Sequence, residues 1–303
     1  MPYPVVSVAP VLLPGAHRDV PVRISAPTDG EDLPVVLFAH GFGSSLHGYG
    51  PLVDHWAAAG FVVVQPTHLD SRTVGLPAAD PRWPTLWRTR VDDLRTVLDR
   101  FDRVEAAVPG LEGRVDRGRV AAAGHSFGGQ TAGILLGLRV LDPDTGEGPD
   151  LSDPRVSAGI LLATAGRGGD ALRPGVGEQL PWLRRPDFST MTVPALVVAG
   201  GADESALTTM GAAWSEDPFH LGPGRKDLLV LPGAEHSLGG IPGYDAAETT
   251  DADPARVALL QRLTTAWLHG ALGASGPDDE AWRGATADLP AGVLHSRAGS
   301  PVS

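Results

Sequence analysis

Ser126 lies in Gly124-His125-Ser126-Phe127-Gly128-Gly129, directly after the small apolar run Val120-Ala121-Ala122-Ala123. A Gly-x-Ser-x-Gly turn between a strand and a helix holds a serine Oγ clear of its own backbone, where it can attack a carbonyl carbon. The chemistry this suggests is acyl transfer or hydrolysis through a covalent acyl-enzyme. Taken alone, the turn leaves room for the lesser reading of a serine that merely caps a helix, and the rest of the chain narrows it.

A serine nucleophile needs a base, and the base needs a buried acid to fix its tautomer and offset the charge it gains. In sheets of this kind both come from loops after later strands, in the order serine, acid, histidine. Asp203 follows Pro194-Ala195-Leu196-Val197-Val198-Ala199, and His236 follows Asp227-Leu228-Leu229-Val230-Leu231. These two are the expected acid and base. Glu204 is the rival acid one position on, and Glu235 is a lesser alternative, since it adjoins the base and would have to fold back to reach its Nδ1. His125 adjoins the serine along a turn that points consecutive side chains apart, which leaves His236 as the histidine with strand, loop and chain order together.

The tetrahedral intermediate carries a negative oxygen that backbone N–H groups can hold. The N–H of Phe127, next to the nucleophile, is one expected donor. The other is expected in His40-Gly41-Phe42-Gly43, most simply at Phe42 with Gly43 as alternative, because glycines let amides approach a substrate closely.

The elements that must position these residues can be read from hydrophobic patterning. Short strands are expected at Val5–Val11, Val20–Ala26, Leu33–Ala39, Phe61–Pro66, Val120–Ala123, Val156–Leu162, Ala195–Ala199 and Leu228–Leu231. Several are apolar throughout rather than alternating, the pattern of strands covered on both faces. Helices are expected at Tyr49–Ala59, Thr85–Phe101, Gly129–Leu138 and Pro254–Ala271, where apolar residues recur at three- and four-residue steps. The order strand, helix, strand predicts an α/β fold with a mostly parallel sheet and helices on both faces. Residues 1–272 read as a single catalytic domain, and 273–303 as an extension packed on it and frayed near Gly299-Ser300-Pro301.

The chain has 303 residues, 24 Lys+Arg against 36 Asp+Glu, and a formal charge of −12. That balance opposes nucleic acid as a partner and favours a small neutral substrate. The absence of cysteine excludes disulfides and a thiol nucleophile. No apolar run reaches membrane-spanning length, so stable insertion is not expected. The first residues lack the basic start of a signal peptide, and a cytoplasmic location is the expectation. His68 and Asp70 lack a third ligand at convincing spacing, and serine hydrolysis needs neither metal nor cofactor.

Together, strand-His40-Gly41-Phe42-Gly43, the Ser126 turn and the Asp203 and His236 loops resemble the α/β-hydrolase superfamily over roughly residues 5 to 272. The resemblance implies an eight-stranded, mostly parallel sheet with the nucleophile after the fifth strand. His68-Leu69-Asp70-Ser71-Arg72 with His125-Ser126-Phe127-Gly128-Gly129 further resembles the chlorophyllase, platelet-activating-factor acetylhydrolase and cutinase-like polyester hydrolase group. Dienelactone hydrolases are similar in fold but use a cysteine nucleophile, which this chain lacks.

The expected reaction is carboxylic ester hydrolysis on neutral, apolar, short-to-medium-chain esters. Alternatives with the same parts are an amidase or peptidase, or a polyester or cutin-type hydrolase. Pocket residues are expected in Gly75–Leu86, with Trp83, and in Thr164–Thr192, with Trp182 and Phe188. Gly43 and Arg72 are further candidates, and Arg72 and Arg167 are the cations that could read an acidic substrate. Asp70, Arg72, Arg88, Arg90, Asp92 and Asp93 could form a charged network behind the site, though loop-orienting or solvated roles are the simpler reading.

Overall fold

The computed structural model describes residues 2–273, 280–290 and 292–298. Strand β1 (Val5–Pro14) pairs antiparallel with β2 (Asp19–Pro27), and β2 pairs antiparallel with β4 (Val62–Pro66). From there the sheet is parallel: β4 lies beside β3 (Leu33–Ala39), then come β5 (Val115–His125), β7 (Val156–Leu162), β9 (Ala195–Gly200) and β10 (Lys226–Leu231). Two minor strands, β6 (Arg139–Val140) and β8 (Pro186–Asp187), form a separate ribbon. A ninth strand of the main sheet, β11 (Leu294–Arg297), pairs antiparallel with β10. It comes from the C-terminal extension, and the eight-strand expectation omitted it because Leu294-His295-Ser296-Arg297 has almost no apolar character. The expected fraying near Gly299 lies outside the described residues.

The parallel strands are buried on both faces, which explains their unbroken apolar sequence. On one face, Val36, Phe38 and Ala121 pack with Leu52 and Trp56 of α1 (Gly50–Ala58) and Leu260, Leu263 and Trp267 of α7 (Pro254–Leu272). The opposite face packs Val35, Leu37 and Ala122 with Val91 and Leu94 of α2 (Leu86–Asp99), Val104 of α3 (Phe101–Ala107) and Ile134 of α4 (Phe127–Leu135). Short helices α5 (Val176–Gln179), α6 (Asp217–Leu221) and α8 (Glu280–Thr286) complete the fold.

Two helices depart by more than one residue from their sequence-based bounds. The expected helix to Phe101 breaks at Arg100, which leaves helical geometry (φ −113°, ψ 25°), and the chain restarts as α3 with Phe101 and Val104 in the core. Helix α4 begins at Phe127 rather than Gly129, because the two glycines after Ser126 are its first turn. It stops at Leu135, where Gly137 takes a left-handed conformation (φ 107°) suited to a helix end.

Since β3, β5, β9 and β10 run the same way, the loops holding Phe42, Ser126, Asp203 and His236 all leave from one edge of the sheet, the edge where open parallel sheets place their sites.

Candidate active site

Ser126 adopts φ 57° and ψ −120°, a conformation that side chains rarely hold and that costs about 1–3 kcal/mol. Its surroundings impose it. The end of β5 and the start of α4 cross so closely that a Cβ on Gly128 would lie 1.9 Å from the Ala39 carbonyl oxygen, and one on Gly124 would lie 2.1 Å from that of Gly128. Only glycine fits either position. The Ser126 N–H donates to the Leu162 carbonyl (2.9 Å), tying the turn to β7.

His236 stands between Ser126 and Asp203: its Nε2 is 2.9 Å from Ser126 Oγ and its Nδ1 is 2.8 Å from Asp203 Oδ2. The carboxylate can only accept, so Nδ1 carries the proton and Nε2 is left to accept from the serine hydroxyl. Asp203 is buried, whereas the imidazole is part-exposed and lines the cavity. The two loops are laced together, with Gly201 N–H to Leu231 O and Ala202 N–H to Ala234 O, both 2.8 Å. Asp251, which the sequence did not single out, staples the His236 loop: it accepts from Glu235 N–H (2.8 Å), Gly239 N–H (3.0 Å) and the Ser237 hydroxyl, and pairs with Arg256. Glu204 sits exposed at the cavity rim, and Glu235 is turned to the Thr250 hydroxyl. Neither rival acid meets His236.

His125 connects this group to the loop after β3. The Gly41 N–H donates to Tyr49 Oη (3.0 Å), Tyr49 Oη is 2.8 Å from His125 Nδ1, and His125 Nε2 is 2.7 Å from the His236 carbonyl. A carbonyl only accepts, so the chain runs in one direction: Tyr49 O–H to Nδ1, Nε2–H to His236 O. Burial, with a smaller contribution from the neighbouring His236, pushes the His125 pKa down to about 3, which keeps the ring neutral.

The same loop is held from its other side. Arg90 and Asp70 form a buried two-point ion pair (Nε–Oδ1 2.8 Å, Nη2–Oδ2 2.9 Å), and Asp70 Oδ2 also accepts from Gly43 N–H at 3.1 Å. Burial alone would raise the Asp70 carboxyl, yet the Arg90 charge and hydrogen bonds hold it below its ordinary value. Arg90 further donates to the His40 carbonyl and lies 4.3 Å from the centre of the Phe127 ring. The network set aside at sequence level as the less simple reading thus exists in part, built from Arg90, Asp70 and Asp93. His68 Nδ1 lies 2.8 Å from Asp93 Oδ2, while its Nε2 has no partner among the described residues, and Asp70 is held by Arg90 and the Gly43 N–H.

These anchors sort the oxyanion candidates. Gly41 and Gly43 have engaged N–H groups, so Gly43 is removed as a donor. The N–H of Phe42 has no partner among the described residues, and that of Phe127 opens α4, where no helical carbonyl precedes it. Both residues line one cavity of about 510 Å³ with Ser126, Asp203 and His236.

Trp182 lines that cavity too, stacked on Phe127 with ring centres 5.0 Å apart. The other pocket expectations are corrected. Gly43 is turned toward Arg72, Arg72 is exposed outside the cavity, and Phe188 is buried in the core. Trp83 lies one layer back, packed on Phe42 at 6.1 Å. Arg167 is spent on Asp217. Trp214, Leu207 and Gln130 complete the wall and were missed. Trp214 comes from a six-residue 3₁₀ helix (Gly211–Glu216) between β9 and β10, and no local pattern points it inward.

Residues 14–142 match the chlorophyllase family. Chlorophyllase-1 of Arabidopsis thaliana is 30% identical over 146 residues, covering 47% of this chain and 41% of that protein. The chain therefore matches less than half of its relative's length, and the family match includes Ser126 but neither Asp203 nor His236. Among the described residues, no helix is long and apolar enough to cross a membrane. A nine-stranded mixed sheet with the Ser126 turn after its fifth strand, partner loops at the same sheet edge in the order serine, acid, histidine, and this homology over the first half identify the chain as a member of the α/β-hydrolase superfamily related to the chlorophyllases.

Proposed function

We propose that the protein is a serine esterase. The observation that carries this reading is the hydrogen-bonded series Ser126–His236–Asp203 opening into a mainly apolar cavity beside two free backbone donors. Ser126 Oγ attacks the ester carbonyl as His236 Nε2 takes its proton, and the tetrahedral oxygen is received by the N–H groups of Phe42 and Phe127. His236 then protonates the leaving alcohol, and a water activated by the same nitrogen cleaves the acyl-enzyme. Asp203 keeps the imidazole in the required tautomer and offsets its charge.

The chlorophyllase relationship supports ester rather than amide cleavage. The lining of Phe127, Ala163, Leu180, Trp182, Leu183 and Trp214 supports apolar substrates. Arg167 is neutralised by Asp217 and Arg72 lies outside, so the described lining offers no cation to receive an acidic chain.

The test is a panel of p-nitrophenyl esters, matched anilides and a fluorophosphonate label on purified protein. Esters should be cleaved far faster than anilides, a neutral alkyl ester should exceed its carboxylate-terminated counterpart in kcat/KM, and the label should attach to Ser126. Ser126→Ala should keep less than about 1% of activity. Asp203→Asn should lower kcat by a factor on the order of 10⁴, with Glu204→Gln much milder. A more damaging Glu204 variant would transfer the acid role to that residue.

A further inference from the structure

Gln130 follows Ser126 by one turn of α4, about 6 Å along the helix axis, and belongs to the wall of the same cavity. Only about 1% of the residue is exposed, yet neither its Oε1 nor its Nε2 has a hydrogen-bond partner among the described residues. Buried side-chain amides are almost always paired, so the two unmet ends of this one call for an explanation, and the cavity that the residue lines is where a partner could come from. Other polar side chains of the cavity wall and of α4 are committed elsewhere. Asp203 holds His236, the Thr131 hydroxyl donates to the Phe127 carbonyl, and Trp214 Nε1 donates to the Arg167 carbonyl.

We propose that Gln130 determines substrate choice by pairing with a neutral polar group in the part of the ester that fills the cavity. A carboxamide side chain offers one acceptor and two donor hydrogens, so its match is a group that both donates and accepts: a hydroxyl or another carboxamide. A charged group is a poor match, because no unpaired cation lines the described cavity and an amide alone does not repay the desolvation of a charge. The preferred substrate is then an otherwise apolar ester carrying one such group, and plain alkyl esters leave Gln130 unmet. In its kinetic form this inference rests on Ser126 being the nucleophile; its binding form does not.

The experiment uses pairs of p-nitrophenyl esters of equal acyl length, one plain and one bearing a hydroxyl moved stepwise along the chain. For at least one hydroxyl position, the ratio of kcat/KM between the hydroxylated and plain ester should fall about tenfold in Gln130→Met, the worth of one or two neutral hydrogen bonds. Gln130→Leu serves as the second variant if the first does not fold. General damage to the protein lowers both esters together and leaves the ratio in place, so an unchanged ratio at every hydroxyl position overturns the proposal.

The same pairs are titrated calorimetrically into Ser126→Ala protein with and without Gln130→Met. A tenfold loss of relative affinity for the hydroxylated ester supports the proposal even if the wild type turns over no ester, in which case the nucleophile assignment alone fails. Equal relative affinities in the two proteins overturn the role of Gln130 whatever the fate of the esterase reading.

Discussion

Tyr49 shows how much of the site depends on single buried atoms outside the Ser126–His236–Asp203 series. Its hydroxyl is the middle of the chain from Gly41 N–H to His125 and on to the His236 carbonyl, so it couples the loop of one proposed oxyanion donor to the loop of the proposed base. Tyr49→Phe removes one oxygen from a fully buried position and leaves two polar groups unmet, at about 1–3 kcal/mol for each. Because neither group reaches substrate, the effect should fall on kcat, by about tenfold, with KM within about twofold of wild type. Steady-state kinetics on one good ester checks this; a change confined to KM would mean that the chain shapes the pocket instead. The residue types at Ser126, Asp203 and His236 were legible from the sequence because strand, loop and chain order all constrain them. Tyr49 was not, since nothing in Gly48-Tyr49-Gly50 announces that its ring crosses to β5.

At the scale of elements, the loop after β3 is braced by α2. Arg90 reaches from that helix to the Asp70 carboxylate, the His40 carbonyl and the face of Phe127, and Asp70 in turn receives the Gly43 N–H. Phe42 thus lies between two anchored neighbours with its own N–H left free. Arg90→Met strands a buried carboxylate and should destabilise the protein by about 3–5 kcal/mol in urea denaturation. Adding Asp70→Asn should recover a good part of that, because an amide is neutral yet its oxygen still accepts from Gly43. No recovery in the double variant would show that Arg90 acts through its contacts with His40 and Phe127 alone. From the sequence Arg90 was one charge among several on a helix. What distinguishes it from Arg88 is the helix's rotation against the sheet, which places Arg90 inward and leaves Arg88 exposed.

For the whole molecule, burial of histidines sets the pH response. His40, His68 and His125 are all buried with pKa values driven below 6.5, foremost by burial, and by Arg90 as the next cause for His40 and His68. As pH falls below 6.5 the unfolded chain takes up protons that these native rings refuse, so stability is lost by about 1.4 kcal/mol per unit for each. Asp93 works the other way: burial raises it to about 7, so between about 4 and 7 the native state keeps a proton that the unfolded state has released. One group opposes three, and the urea midpoint should fall between pH 7 and pH 5. A midpoint that holds or rises would show that at least two of the histidines are not neutral in the folded protein.

The sequence alone determined the α/β class, the order of the main strands, the tight turn around Ser126 and the chain order of its partners. Those features depend on local patterning and on glycine and strand-end positions, which are written consecutively. Only the tertiary structure decided which N–H after β3 stays free, which of the arginines is buried, that Phe188 belongs to the core while Trp214 and Gln130 face the cavity, and that Leu294–Arg297 closes the sheet. Each of these is a contact between segments far apart in the chain. Its outcome depends on how helices rotate and loops cross over the sheet edge, and no single stretch of residues encodes that.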